Sequence, residues 1–216
     1  MISGPSRLRE TLRVDVSKDL IIHINQKQLL SSATGWLVWP VAVDLCKFFI
    51  TNPEILKETN ILELGSGTGL VGFVCSTSFT RDVVITDLGD GLPMLLENAR
   101  LNENIFRRPE SVHVRELCWG NKTHIQSLLT EFESFDRIIG SDIVYHQDEA
   151  VLTALVETII CASNANTEVL IAYEDREGMI DDEVFFFGPL RDRFGTLDLI
   201  DLENNRVVYH FKGFLG

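Results

Sequence analysis

The sequence is short of the residues that build metal centres and covalent cross-links. Its 216 residues include four cysteines and five histidines. Cys46, Cys75, Cys118 and Cys161 are widely spaced, form no C-x-x-C pair and have no histidine at ligand spacing, so neither a metal site nor a disulfide framework is expected. Positive charge is also scarce: 19 Lys and Arg stand against 32 Asp and Glu, a net charge of −13 and a pI near 4.7. An acidic surface repels phosphates, which makes nucleic acid a poor partner and a basic protein segment a better one; the same acidity also serves solubility alone. Long apolar runs are missing too. The richest stretches are interrupted by Asp44, Lys47 or Glu157, and no charged-then-apolar leader follows Met1. A soluble, intracellular protein with no membrane partner is therefore expected, cytoplasmic with the nucleus left open as a second compartment. No internal repeat, low-complexity run or Pro/Gly-rich linker divides the chain.

What is present is a 45% hydrophobic chain long enough for one α/β domain, organised around ILELGSGTGLVGF, Ile61 to Phe73. An apolar run suited to a buried strand ends at Glu63 and Leu64, the chain turns through Gly65, Gly67 and Gly69, and a helical pattern follows. Glycines bring the backbone close to a ligand, and the N–H groups at the helix start offer donors to it. In VVITDL, Asp87 ends a second apolar run and suits ribose hydroxyls. Dinucleotide sites need G-x-G-x-x-G, whereas G-S-G-T-G behind an acidic Glu63 fits a cationic cofactor without a pyrophosphate, S-adenosylmethionine.

The remaining elements follow in order. Leu12, Val14 and Val16, then Ile22 and Ile24, alternate with polar residues around Ser17–Asp19 and predict a small hairpin, an accessory in front of the core. Pro40 opens a helix with a Val41, Leu45, Phe48 and Phe49 stripe. Trp36 is expected as core filler and Trp39 as a pocket wall. A crossover helix spans Leu70 to Ser78, with Gly72 allowing close packing on the sheet. A further helix runs from Gly91 to Asn102, with Asn98, Arg100 and Asn102 solvated. Ser111 to Gly120 is a strand with Trp119 at the binding edge, its indole either lying against adenine or capping the core. Phe135 to Ser141 is a central strand beside the first. Beyond it, Asp142 is suited to hold a cationic amine or a backbone donor, or to cap the next helix, and Tyr145 to wall the approach channel. Asp148 to Ala162 is a helix, and Glu168 to Glu177 a strand that brings Glu174, Asp175 and Arg176 to the same edge. A helix broken by Gly188 and Pro189 runs from Asp182 to Phe194, with one of Phe185, Phe186 and Phe187 available to the substrate groove. A terminal hairpin, Leu197 to Ile200 and Val207 to Phe211, joined through Glu203, Asn204 and Asn205, adds one antiparallel strand.

The set TGWLVWPVAV, ILELGSGTGLVG, VVITDL, ELCWG, GSDIVY and AYEDRE, in this order, resembles the methyltransferase-like protein-lysine methyltransferases called family 16. That group includes the enzyme acting on valosin-containing protein. The resemblance implies a Rossmann-like seven-strand methyltransferase sheet, mostly parallel with a C-terminal antiparallel hairpin and helices on both faces. Residues 1–33 then form a tail and β-hairpin extension, and 34–216 the methyltransferase domain. It further implies S-adenosyl-L-methionine as cofactor, with Trp39, Gly65, Ser66, Gly67, Asp87, Trp119 and Ser141 as contacts beside Glu63. Asp142 and Tyr145 match the family's D-x-x-Y motif at the lysine entry. Pro40 stands where the family often has an acidic residue, and Ser141 where alanine is common. The implied partner of a monomeric enzyme is a protein with an accessible, non-histone lysine, such as a chaperone, ATPase or translation factor. A methyltransferase for a small molecule or RNA, and a catalytically silent cofactor-binding partner protein, are the competing expectations. The absence of Asn-Pro-Pro-Tyr or Asp-Pro-Pro-Tyr in place of GSDIVY speaks against a planar base nitrogen as acceptor.

Overall fold

The computed structural model describes residues 9–27, 36–145, 147–176, 180–202 and 205–216, with Arg9 described by its backbone only. Thr34, Gly35, His146, Glu177, Glu203 and Asn204, which entered the motifs and turns above, lie outside them, as does the expected tail over 1–8.

A hairpin of β1 (Arg9–Asp15) and β2 (Ile21–Lys27) precedes a seven-stranded sheet. That sheet comprises β3 (Ile61–Glu63), β4 (Val83–Asp87), β5 (Val112–Glu116), β6 (Arg137–Ser141), β7 (Glu168–Glu174), β8 (Phe194–Asp201) and β9 (Arg206–Phe214). Its order is β5-β4-β3-β6-β7-β9-β8, parallel except that β9 runs antiparallel to both β7 and β8.

Alternate residues of the central strands enter two separate cores, as expected of parallel strands covered on both faces. Ile61, Val83, Ile85, Ile139 and Leu170 pack with α1 (Pro40–Thr51), α2 (Leu70–Cys75) and α3 (Leu92–Leu101). Leu62, Val84, Ile138, Val169 and Ile171 pack with α4 (Lys122–Phe132) and α5 (Glu149–Ala162). The order of strand addition reverses at β3, with β4 and β5 on one side and β6 and β7 on the other, so the loops after β3, β4 and β6 converge at one edge.

Four local expectations are corrected. Asn98 and Asn102, read as solvated, are buried on α3 and bind the hairpin. Asn98 accepts from the Asn25 N–H at 2.8 Å and donates to the Asn25 and Thr68 carbonyls, while Asn102 accepts from the His23 N–H and donates to its carbonyl. Val14, Val16, Ile22 and Ile24 accordingly belong to the first core rather than standing in front of it.

The helix over 180–191 is not broken at Gly188-Pro189. It passes from α6 (Ile180–Asp182) through a π-helical turn (Glu183–Phe187) into α7 (Gly188–Arg191). The Gly188 N–H reaches back to the Glu183 carbonyl, which widens the helix where the Pro189 ring would otherwise press on an α-helical turn. The same widening lets Phe186 and Phe187 both turn inward, where Phe187 stacks on Tyr209 with centroids 4.0 Å apart. None of the three phenylalanines, one of which is expected to reach a substrate groove, lines the cavity at the carboxyl edge of the sheet.

Candidate active site

After β3 the backbone takes positive φ at Gly65 (58°), Gly67 (53°) and Gly69 (89°). At Gly65 a side chain is excluded twice over, because a Cβ there would stand 2.9 Å from Ile143 Cγ2 and 3.1 Å from Trp119 Cζ2. The turn is laced to β4: the Ser66 N–H donates to the Thr86 carbonyl, and the Thr86 N–H donates to Ser66 Oγ. Asp87 then receives the Gly67 N–H at 2.6 Å on one oxygen and the Leu88 N–H at 2.7 Å on the other. Burial pushes its carboxyl above the usual range, and these two donors work against that. Each oxygen keeps a lone pair for a further donor.

Glu63 lies elsewhere. It is buried under the turn, accepts from the Gly72 N–H at 3.0 Å and is absent from the cavity wall. A Cβ on Gly72 would sit 2.5 Å from its Oε2, so the missing side chain of Gly72 makes room for the carboxyl. Burial pushes Glu63 up to about 8, against hydrogen bonds from Ser66 and Gly72, and nearby Asp87 adds to the rise. A carboxyl that is mostly protonated at neutral pH cannot pair with a cationic ligand. The expectation of a cofactor contact there is replaced by a part in holding the turn to α2.

On the other side of β3, Ser141 ends β6 and Asp142 follows at φ 52°, its N–H donating to the Ala172 carbonyl of β7. Left-handed backbone at a non-glycine residue costs of order 1–3 kcal/mol and persists where its surroundings fix it. Here the fixing partner is Arg176, whose Nη2 lies 2.8 Å and 2.9 Å from the two Asp142 oxygens and 3.1 Å from Glu174 Oε2. Burial raises the Asp142 pKa, and Arg176 pulls it back. Asp142 caps no helix, since the residue before α5 is Asp148. Gln147 closes the loop by accepting from the Tyr145 N–H and donating to the Ile143 carbonyl.

These loops enclose a cavity of about 870 Å³. Trp39, Gly65, Ser66, Gly67, Asp87, Trp119, Ser141, Asp142 and Tyr145 all line it, which brings together every expected site residue except Glu63. Trp36 also lines it rather than filling the core, half-buried with Lys27 Nζ 4.2 Å from its ring centroid. Sequence reasoning missed Gln147, Asp90 and the Ala150 and Ala154 face of α5. Small residues four apart at the start of a helix beyond a central strand were the available signal. Among the described charged residues of the wall, Asp87, Asp90 and Asp142 stand against a single guanidinium, that of Arg176.

The volume suits a small-molecule site of roughly 300–1,000 Å³. A glycine cradle, a carboxylate with free lone pairs at the end of β4 and an indole against the turn fit an adenosyl cofactor. The fold and this cavity define an S-adenosylmethionine-dependent methyltransferase, and S-adenosylmethionine is its cofactor. Comparison with known proteins narrows the class. A family model described as lysine methyltransferase matches residues 16–191. METTL21A of Danio rerio, a protein N-lysine methyltransferase, is 34% identical over 177 residues, covering 82% of this chain and 75% of its own. EFM7 of Candida glabrata, a protein N-terminal and lysine N-methyltransferase, is 26% identical over 202 residues, covering 90% and 77%. Among solved structures, a ribosomal protein L11 methylase from Lactobacillus delbrueckii subsp. bulgaricus superimposes with a TM-score of 0.63 at 17% identity. It covers 94% of this chain and 98% of that one, a likeness that shows the fold. The chain belongs to the lysine methyltransferase family.

Proposed function

We propose that this site methylates a lysine side chain of a non-histone protein. The observation that carries the reading is the pairing, on one cavity wall, of Asp142 and Tyr145 just beyond β6, across β3 from Asp87. Asp87 and the glycine turn hold the adenosyl part, Trp39 and Trp119 wall it, and Ser141 lies beside it. The acceptor then enters at Asp142 and Tyr145. Relatives named as lysine methyltransferases support the choice of acceptor. The carboxylate excess on the wall and the net charge of −13 favour a basic segment of the partner.

S-adenosylmethionine supplies a methyl group on a cationic sulfur, and its transfer forms a nitrogen–carbon bond, breaks the carbon–sulfur bond and leaves neutral S-adenosylhomocysteine. The residues of the chain have to align the acceptor and favour its neutral form. A lysine with an ordinary pKa near 10.4 is about 99.9% protonated at neutral pH. Burial in the cavity disfavours the charged amine, Asp142 orients it by accepting an N–H, and the Tyr145 ring shapes the channel. None of these roles requires a strong base.

The test is transfer of labelled methyl from S-adenosylmethionine to the proteins of a eukaryotic cell extract, followed by mass spectrometry of the labelled band. Methyl on lysine, lost with Asp142→Ala, is expected. Label confined to small molecules or RNA would overturn the reading.

A further inference from the structure

Asp142 is not a free carboxylate. Arg176 holds both of its oxygens, and Arg176 is itself one link in a line of six charges of alternating sign. Arg176 contacts Glu174 at 3.1 Å, Glu174 contacts Arg206 at 3.6 Å, Arg206 contacts Asp44 at 2.5 Å, and Asp44 contacts Lys47 at 3.4 Å. The line sums to zero charge and runs from the loop after β6 through β7 and the start of β9 to α1. Arg206 and Asp44 are nearly buried, so this arrangement is fixed by the fold rather than by surface chance.

That matters because of what the acceptor requires. An uncompensated carboxylate beside a lysine forms an ion pair with the ammonium and disfavours loss of its proton, which leaves no lone pair for attack. The same carboxylate paired with a guanidinium presents no net charge, yet still has lone pairs able to accept an amine N–H. Among the described residues, the other charged groups on the wall, Asp87 and Asp90, come from β4 and the loop after it, and Cys118 beyond β5 and Tyr145 beyond β6 are the remaining titratable neighbours. Arg176 is therefore the one cation on the described wall that opposes retention of the lysine proton.

We propose that Arg176 is a positioning residue for methyl transfer. By occupying both oxygens of Asp142 it denies the acceptor lysine an ionic partner, so the amine gives its proton to solvent and enters the site neutral. This inference rests on the lysine acceptor proposed above. The side chain acts through Asp142 and on the amine, not on the cofactor.

The experiment measures the pH profile of labelled methyl transfer into extract protein lysines by wild type, Arg176→Met, Arg176→Lys and the double variant Asp142→Asn/Arg176→Met. S-adenosylmethionine affinity and thermal stability are followed in parallel. With Arg176→Met the acidic limb is expected to move up by about one pH unit or more, while cofactor affinity stays within about twofold of wild type. Arg176→Lys returns the limb most of the way. The double variant, which also removes the carboxylate charge, returns the limb position although its maximum rate is low. Loss of activity by the same factor at every pH, or a limb that stays displaced in the double variant, would overturn the proposal and leave the lysine reading standing. Wild-type label on another residue type, or no protein label, would remove the lysine reading and this inference with it.

Discussion

Glu63 and Asp87 are carboxylates on neighbouring strands with different fates. Asp87 meets the cavity and is held by two backbone donors, whereas Glu63 is sealed beneath the turn with its pKa pushed up to about 8 from an ordinary 4.5. Between those values the folded chain keeps a proton that the unfolded chain has lost. The Glu63 contribution is therefore whole below about pH 4.5 and is lost as pH rises through about 8. Urea unfolding at pH 5, 6.5 and 8 should show wild type losing stability relative to Glu63→Gln, by on the order of a few kcal/mol across the series. Parallel pH slopes for the two proteins would contradict the assignment. The sequence showed the kind of residue at 63 but not its depth, which is why an acid before a glycine turn read as a ligand. Asp87 was legible because strand end and spacing are properties of the local chain. The Arg176–Asp142 pair was not, since 34 residues separate its members and β6 and β7 must pair before they meet.

At the scale of elements, the pins from α3 to β2 join the hairpin to the cofactor turn, because Asn98 holds both the Asn25 backbone and the Thr68 carbonyl. Asn98→Ala leaves a buried N–H and two buried carbonyls without that partner. A loss of about 3 kcal/mol or more is expected at roughly 1–3 kcal/mol for each group, measured by urea unfolding, with faster amide exchange at Asn25. A loss below 1 kcal/mol would mean that water replaces the pins. Helical periodicity gave the apolar face of α3 but took two asparagines four apart for a wet one, since an amide that satisfies a neighbouring strand reads like any polar residue. The terminal hairpin was legible from its two apolar runs. The π-helical turn was not, because Gly188-Pro189 signals a break and the backbone answers by widening instead.

For the whole molecule, two-sided burial made the architecture legible: short apolar strands separated by helical stripes admit few arrangements besides a doubly covered parallel sheet. The charge balance bears on association. With −13 overall and three carboxylates to one guanidinium among the described residues of the cavity wall, kcat/KM for a basic lysine-bearing segment should fall several-fold, roughly three- to tenfold, between about 50 and 300 mM salt. A salt-independent kcat/KM would mean that the acidity serves solubility alone. The central claim is one cavity with a cofactor end at β4 and an acceptor end beyond β6, and calorimetric S-adenosylmethionine binding paired with turnover tests it most directly. Asp87→Ala should weaken binding about 10- to 100-fold, as expected for loss of hydrogen bonds to a charged group, while Tyr145→Ala binds as wild type does and turns over more slowly. Equal loss of cofactor binding in both variants would contradict the division of the site.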